Sequence, residues 1–247
     1  MLSDCLKAVR VVLIQTSHSG NLGQTARAMK NMGLSDLVLV DPQAEINGQA
    51  ISMASGADDL LENARVVKDL PSAIADCVVV FGTSARSRQL PWPALTPREM
   101  AHHMIQQPSS SPMAVVFGPE QSGMTNEALS LCHYHVHIPT SETFSSLNLS
   151  QAVQVIVYEI MASWQASADL AAPVNVNNEP AARGAQLHAL MDTMTQMMTH
   201  SGFLDPKQPK KLLFRLRRLM MRSNLRETEV NILLGFLTSI AQQQQSK

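Results

Sequence analysis

The sequence predicts an α/β domain with a mostly parallel sheet and helices on both of its faces, followed by a small all-helical domain. From Val9 to about Trp164, short runs rich in β-branched residues alternate with segments of helical pattern. Most of these runs are continuously apolar, which is typical of strands buried on both faces of a parallel sheet. After residue 185 helical patterns continue and no strand pattern is found.

Six runs are expected to form the strands: VRVVLIQ at 9–15, LVLV at 37–40, ARVV at 64–67, CVVVFG at 77–82, AVVFG at 114–118 and YHVHIP at 134–139. Helices are expected at about 21–32, 97–107 and 125–131, with a long apolar helix at 147–166. These elements predict a first domain over residues 1–166.

The remaining chain divides into a linker and a helical domain. Residues 167–184 contain two prolines and many small polar side chains without a strong period, which predicts a linker. Helices are expected near 185–200, 208–223 and 227–243, within a second domain over 185–247.

Composition excludes some classes of function. The 247 residues carry a formal net charge of −1, and aromatic residues make up 4% of the chain, which disfavours a stacking platform for single-stranded nucleic acid. The scattered Cys5, Cys77 and Cys132 indicate a reducing compartment. The apolar run VVLI after Arg10 is too short for a signal or membrane segment, so we expect a cytoplasmic protein that does not bind membranes.

The segment SHSGNLGQTARAMKNMG at 17–33 follows the first strand and predicts a turn into a helix. Arg27 comes one helical turn after Gly23, so we expect both to face the carboxyl ends of the strands, where open α/β sheets bind ligands. A capped helix with a solvated arginine is the alternative. No GxGxxG pattern is present, which disfavours a Rossmann dinucleotide site.

Two further loops follow predicted strands. In GTSARSRQLPWP at 82–93, Thr83, Ser84 and Ala85 form a small-residue turn with free backbone N–H groups. Arg86 and Arg88 add two cations that suit a phosphate, although a plain polar loop is the alternative.

In FGPEQSGMTNEAL at 117–129, Gly118 and Gly123 bracket a tight loop. Glu120 lies within this loop and is expected to bind its backbone N–H groups. The long apolar helix is preceded by SETFSSLN, where Ser145, Ser146 and Asn148 supply more polar side chains than one helix cap requires.

The segment CHYHVHIP places His133, His135 and His137 on one face of a strand. Such spacing could bind a metal, but no carboxylate follows at ligand spacing. We therefore favour packed histidines and expect no metal.

The C-terminal domain contains a basic helix. Every charged residue from Lys207 to Arg226 is basic, and one stripe of the helix carries Lys211, Arg215, Arg218 and Arg222. A flanking apolar face is expected from Leu212, Leu216, Leu219 and Met220. A solvated face is the alternative, but the absence of acids favours binding to an RNA phosphate backbone.

Three of these stretches, in this order, resemble the three motifs of the SPOUT class of knotted RNA methyltransferases: GNLGQTARAMKNMG, FGPEQSGMTNEAL and SSLNLSQAVQVIVYE. With TSARSRQLPWP and the helical extension, the chain is most similar to bacterial tRNA 2′-O-methyltransferases that act on cytidine or uridine at position 32 of the anticodon loop. The resemblance implies S-adenosylmethionine as cofactor, bound in a C-terminal trefoil knot of the first domain. It also implies tRNA as substrate and a homodimer.

Carried over by position, the resemblance implies that Arg27 and Ser146 are catalytic, with Arg27 acting on the ribose 2′-hydroxyl. It implies that the cofactor is bound by Thr83, Ser84, Ala85, Gly118, Glu120, Ile138, Ser145, Ser146, Leu147 and Asn148. Pro119 stands where relatives often carry a polar residue, and Met124 replaces the usual leucine.

Other functions are compatible with the same motifs. The chain could methylate ribosomal RNA or another tRNA position, and it could be a catalytically silent RNA-binding protein. A serine hydrolase is disfavoured because no GxSxG motif is present.

Overall fold

A computed structural model of the chain describes residues 2–84, 94–108, 110–168, 179–207 and 211–245. It divides into two compact units, Met1–Val174 and Asn175–Lys247. Each unit is described by itself.

The first unit contains a seven-stranded sheet whose paired strands are all parallel. The strands are β1 (Val9–Ile14), β2 (Asp36–Val40), β3 (Arg65–Val67), β4 (Val79–Thr83), β5 (Ala94–Leu95), β6 (Met113–Phe117) and β7 (Tyr134–Val136). Their spatial order is β3-β2-β1-β6-β4-β7-β5. The six predicted strands are confirmed, and β5 was missed because two residues are too few to form a pattern.

Helices cover both faces of this sheet. They are α1 (Leu2–Lys7), α2 (Ser19–Asn31), α3 (Gly48–Ala54), α4 (Asp58–Glu62), α5 (Leu70–Ile74), α6 (Pro97–Ile105), α7 (Asn126–Ser130) and α8 (Leu149–Ala168). Alternate residues of β1 point to opposite sides: Val11 and Leu13 join one buried cluster with α2 and α8, while Val12 joins another with α5. The predicted α/β class is therefore confirmed, whereas the trefoil knot stays a prediction.

Helix α2 packs closely against α3, and Gly23 is the point of contact. A Cβ atom built on Gly23 would lie 2.0 Å from the backbone oxygen of Ala50. The lack of a side chain serves close packing between the two helices.

The histidines near β7 are packed into the protein. His133 and His135 are buried, and His133 accepts a hydrogen bond at Nδ1 from the backbone N–H of Val80 (3.1 Å). Burial lowers the pKa of His133 to about 4, so its ring is neutral at physiological pH. Nδ1 of His137 lies 3.2 Å from the backbone oxygen of Ser84.

The second unit is helical over its described residues, with α9 (Gly184–His200), α10 (Leu212–Arg222) and α11 (Glu227–Gln245). Its small core contains Ala182, Leu187, Leu190, Met221 and Val230. In neither unit is a described helix both long and apolar enough to cross a bilayer.

Candidate cofactor cleft and its polar network

A cleft of about 250 Å³ opens at the carboxyl ends of β4, β6 and β7. Parallel α/β sheets commonly bind ligands at this edge. Its walls are Thr83, Ser84, Phe117, Gly118, Pro119, Glu120, Gln121, Ser122, Gly123, Val136, Ile138, Thr140, Ser145, Ser146, Leu147, Leu149 and Ala152.

Most of the cofactor residues expected from the sequence line this one cleft: Thr83, Ser84, Gly118, Glu120, Ile138, Ser145, Ser146 and Leu147. Asn148 instead lines a neighbouring hollow. Ala85, Arg86 and Arg88 lie outside the described residues.

The turn at Thr83 and Ser84 is less open than expected. The Thr83 hydroxyl donates to the backbone oxygen of Val116 (3.0 Å), and the Ser84 N–H donates to that of Val136 (3.1 Å). The expectation of a free backbone N–H was therefore wrong for Ser84, because the hydrogen bonding between β4 and β7 continues through this residue.

The loop after β6 folds tightly on itself. A Cβ atom on Gly118 would lie 2.3 Å from the backbone nitrogen of Met124, so only glycine fits there without a backbone shift. The N–H of Gly123 donates to the oxygen of Pro119 (2.8 Å), and the Thr125 side chain caps α7. This geometry brings Glu120 to the cleft.

Glu120 is the centre of a polar network at this edge of the sheet. Its carboxylate accepts hydrogen bonds from the Ser17 N–H (3.1 Å), the Ser17 hydroxyl (3.0 Å) and Nδ2 of Asn21 (2.8 Å). Burial alone would raise the pKa of Glu120, but the hydrogen bond from Asn21, together with those from backbone N–H groups and Ser17, lowers it below its usual value. Glu120 therefore accepts from a backbone N–H group, but from that of Ser17 in the loop after β1, whereas its own loop was expected to supply the donors.

The network continues to the start of α8. Nδ2 of Asn148 donates to Oδ1 of Asn21 (3.0 Å), while Oδ1 of Asn148 accepts from the N–H of Ser150 (2.9 Å). The hydroxyl of Ser150 donates to Oε1 of Gln24 (2.7 Å). Asn148 is thus the helix cap, and it also ties the loop before α8 to α2.

Asn21 joins all three motifs, and reasoning from the sequence missed it. Its side chain is 6% exposed and connects Glu120 to Asn148. The sequence GNLG does place an asparagine between two glycines at the start of a helix. Its partners Glu120 and Asn148, however, lie about a hundred positions or more further along the chain.

The serines before α8 remain available to a ligand. Ser145 and Ser146 are exposed, line the cleft and donate no side-chain hydrogen bond to another described residue. A single residue, Asn148, does the capping.

Arg27 lies on the exposed side of α2 and pairs with none of the residues that the structure describes. It follows Gln24 by three positions, so the two side chains neighbour each other on the helix surface. Its guanidinium is therefore available to a substrate.

On α10 the basic stripe differs from the expected one. Lys211, Arg215 and Arg222 are exposed, but Arg218 is only partly so and its Nε is buried. Leu219 was expected on the apolar flank and is 44% exposed among the cations instead.

Over the described part of the chain, no group of three or more His, Cys, Asp or Glu residues is placed to bind a metal ion.

Comparison with known proteins identifies the family of the chain. Residues 8–158 match the SpoU rRNA Methylase family, and residues 185–247 match the C-terminal domain of tRNA methyltransferase TrmJ. A tRNA (cytidine/uridine-2'-O-)-methyltransferase TrmJ from Klebsiella pneumoniae is 45% identical over 98% of this chain and 100% of its own length.

Solved structures show the same likeness. TrmJ from Z. mobilis superposes with a TM-score of 0.82 at 31% identity, covering 94% of this chain and 98% of its own. A probable methylase family protein from Haemophilus influenzae gives 0.64 at 38% identity, covering 98% of this chain and 100% of its own. The chain therefore belongs to the SpoU methylase family and carries a C-terminal domain of the TrmJ type.

Proposed function

We propose that this protein methylates the ribose 2′-hydroxyl of cytidine or uridine in tRNA, at position 32 of the anticodon loop. The observation that carries the proposal is the convergence of the three motifs on one site. Glu120, Asn21 and Asn148 come from three separate loops or helices and are joined by hydrogen bonds of 2.8 and 3.0 Å. The names of the TrmJ relatives support the choice of tRNA and of pyrimidines.

The cofactor is S-adenosylmethionine, as membership of this methylase family implies. The cleft has side chains that suit both parts of such a molecule. Ile138, Leu147 and Leu149 provide an apolar surface for a base, while the uncommitted hydroxyls of Ser145 and Ser146 provide hydrogen bonds for polar groups. When bound, this cofactor supplies an electrophilic methyl group.

Arg27 has the role of orienting the acceptor hydroxyl. A guanidinium is a poor base because its pKa exceeds about 12, so proton removal by Arg27 itself is disfavoured. Its five N–H donors instead stabilise negative charge that develops on the ribose oxygen. The proton passes to a substrate phosphate.

Ser146 lies in the wall of the cleft, where its hydroxyl takes part in the reaction. Glu120 and Asn148 hold the walls of the cleft in place. A carboxylate that stays ionised at neutral pH binds the Ser17 loop and Asn21 more strongly than a neutral group would. The hydrogen bonds from Asn148 then keep the loop of Ser145 and Ser146 beside this carboxylate. Pre-ordered walls lower the entropic cost of aligning donor and acceptor.

The exposed cations of α10 provide a surface for the tRNA backbone. Lys211, Arg215 and Arg222 are exposed, and no acid interrupts the stretch from Lys207 to Arg226. Replacing all three by alanine should weaken tRNA binding. In a plot of the logarithm of the binding constant against the logarithm of the salt concentration, the slope should become shallower by roughly 0.7–0.9 for each phosphate that is no longer neutralised.

The proposal includes a homodimer. The first unit exposes several large apolar side chains near the cleft and on α8: Phe144 (79%), Tyr158 (51%), Val155 and Leu147 (both 37%). Exposed apolar groups of this kind suit a surface covered by a second copy. Tyr158→Asp should shift sedimentation from dimer to monomer.

The direct test is to map the modified nucleotide. The purified protein is incubated with labelled S-adenosylmethionine and a tRNA transcript, and the methylated position is located by nuclease digestion and mass spectrometry. Methylation of the 2′-oxygen at position 32 is expected. Label at another nucleotide, or no label in the tRNA, contradicts the proposal.

A further inference from the structure

A second hollow lies beside the cofactor cleft, at the start of α2. Its volume is about 460 Å³, and its walls come from the loop 17–20, Asn21, Gln24, Gln49, Met53 and Asn148. Apart from Asn148, none of its lining residues was assigned to a ligand by the sequence motifs.

The hollow and the cleft share one layer of hydrogen-bonded side chains. Asn21 and Asn148 line the hollow, and Asn21 donates to Glu120, which lines the cleft. A molecule bound in the hollow is therefore a close neighbour of a cofactor bound in the cleft.

The chemistry of the walls selects a neutral, hydrogen-bonding ligand. Carboxylates, ammonium groups and guanidinium groups are missing from the lining, whose polar atoms come from amides, hydroxyls and the His18 ring. Such a lining suits a base edge and ribose hydroxyls better than a phosphate. Arg27 follows Gln24 by three positions on α2 and supplies a cation on the adjoining surface.

Gln49 is the wall residue with an uncommitted carboxamide. The side chains of Asn21, Gln24 and Asn148 already bond to one another or to Ser150 and Glu120. The Gln49 side chain bonds to no other described residue, and its Nε2 lies 3.6 Å from the place of a Cβ on Gly20.

The position of Gln49 is also fixed by packing. The Asn47 side chain caps α3 by accepting from the N–H groups of Gln49 and Ala50. The contact of Gly23 with Ala50 holds α3 against α2. A side chain on such a supported helix is a more accurate binding group than one on a free loop.

From these observations we infer that the hollow binds the pyrimidine nucleoside whose ribose is methylated, with the Gln49 carboxamide hydrogen-bonded to the edge of the base. This inference rests on the proposed function. A carboxamide carries a donor and an acceptor side by side and can turn over to present them in either order. Cytosine offers an amino donor next to an acceptor nitrogen, whereas uracil offers an acceptor oxygen next to an N–H donor. One glutamine therefore serves both bases.

The test compares Gln49→Ala with the wild-type protein on two tRNA transcripts that differ only by cytidine or uridine at the methylated nucleotide. We expect kcat/KM to fall roughly 30-fold for both transcripts, the size expected when two neutral hydrogen bonds to the base are removed. The affinity for S-adenosylmethionine, measured by calorimetry, should stay the same. Gln106→Ala is the matched control, because Gln106 is an exposed glutamine that follows α6 and lines neither the hollow nor the cleft; this variant should match the wild type in both measurements.

A second variant separates hydrogen bonding from bulk. Gln49→Glu keeps the size of the side chain, but its carboxylate only accepts hydrogen bonds. Its kcat/KM should therefore also be lower than that of the wild type on both transcripts. Unchanged activity of Gln49→Ala, a loss on only one transcript, or a parallel loss of cofactor affinity overturns the inference. A wild-type protein that methylates neither transcript overturns the proposed function itself, which distinguishes the two failures.

Discussion

The two edges of the parallel sheet both carry polar networks, and they differ in what they leave unpaired. At the amino edge, Arg10 donates to Asp36 (2.7 Å), to Asp76 (2.6 Å) and to the backbone oxygen of Ala73 (2.7 Å). At the carboxyl edge, Glu120 and its partners are also bonded. Arg27, farther along the helix of Asn21, is exposed, has no described partner and lines neither the cleft nor the neighbouring hollow.

We therefore interpret the Arg10 network at the amino edge as structural and the Glu120 network at the carboxyl edge as functional. Burial alone would lower the pKa of Arg10, but its hydrogen bond to Asp76 and the nearby charges outweigh burial and raise the pKa. The charges of Arg10, Asp36 and Asp76 are thereby paired within the protein. At the other edge the bonded groups surround two openings, and the uncommitted hydroxyls of Ser145 and Ser146 line one of them.

The largest effect on stability is expected from Arg10→Met, which leaves Asp76 without its cation and Asp36 with Arg65 alone. The Arg10 side chain is 7% exposed, but those of Asp36 and Asp76 are 28% and 47% exposed, so water can solvate the carboxylates that remain. We therefore expect a loss of about 2–3 kcal/mol of unfolding free energy, less than for a fully buried ion pair. Urea denaturation should show this loss, while cofactor affinity of the protein that remains folded should be unchanged. A loss of cofactor affinity without a loss of stability would assign Arg10 to the site instead.

The next effect concerns His133, which precedes β7 at the amino edge. Its pKa is lowered from 6.5 to about 4 in the folded protein, so the unfolded chain takes up a proton first as the pH falls. The contribution of neutral, buried His133 to the free energy of unfolding is therefore complete above pH 6.5. It is lost between pH 6.5 and 4, by up to about 1.4 kcal/mol per pH unit. Urea midpoints at several pH values should be less pH-dependent for His133→Gln; an unchanged dependence contradicts this assignment.

At the carboxyl edge, Glu120→Gln should affect stability less and methyl transfer more. Asn21 donates to Oε1 and Ser17 to Oε2, so replacing one oxygen by the NH2 group of Gln makes one of these partners face a donor. Hydrogen bonds to a charged group contribute about 1.5–3 kcal/mol each at most. Because the pKa of Glu120 is lowered, its contribution is present above about pH 4.5 and is lost as the pH falls below that value. We expect a several-fold loss of kcat for the variant; full activity at neutral pH would show that the network is dispensable.

The smallest effect is expected from Arg65→Ala. Arg65 bonds to Asp36 at 3.2 Å but its side chain is 49% exposed, and such exposed pairs contribute about 0–1 kcal/mol. Together with Arg10→Met it tests whether burial, rather than the number of ion pairs, determines stability at this edge. A large loss for Arg65→Ala would contradict that explanation.

Most of the sheet could be predicted because its strands are continuous apolar runs, and α2 and α8 because they are long. Helices α3, α4 and α5 have seven residues or fewer, which is too short for a helical period to be visible. The place of α3 matters, since it carries Gln49, and no local pattern indicated it.

The candidate site could be predicted only in its parts. Residues of the three motifs were expected at the cleft, and Ser145, Ser146 and Glu120 do line it. The role of Asn21 and the packing of Gly23 depend on partners brought close by the fold, so neither is visible in the neighbouring sequence. The same holds for Leu219, whose exposure depends on how the small second unit packs.

Arg27 pairs with no described residue, and we propose that it acts on the substrate and not on the cofactor. The most direct test of this central proposal is Arg27→Ala in the full-length protein, with methyl transfer to tRNA and the dissociation constant of S-adenosylmethionine measured on the same preparation. We expect transfer to fall roughly 100-fold or more, as when a charge-stabilising donor is removed from an active site, while the dissociation constant stays within about twofold. If the variant loses both methyl transfer and cofactor affinity, or keeps both, Arg27 does not have this role.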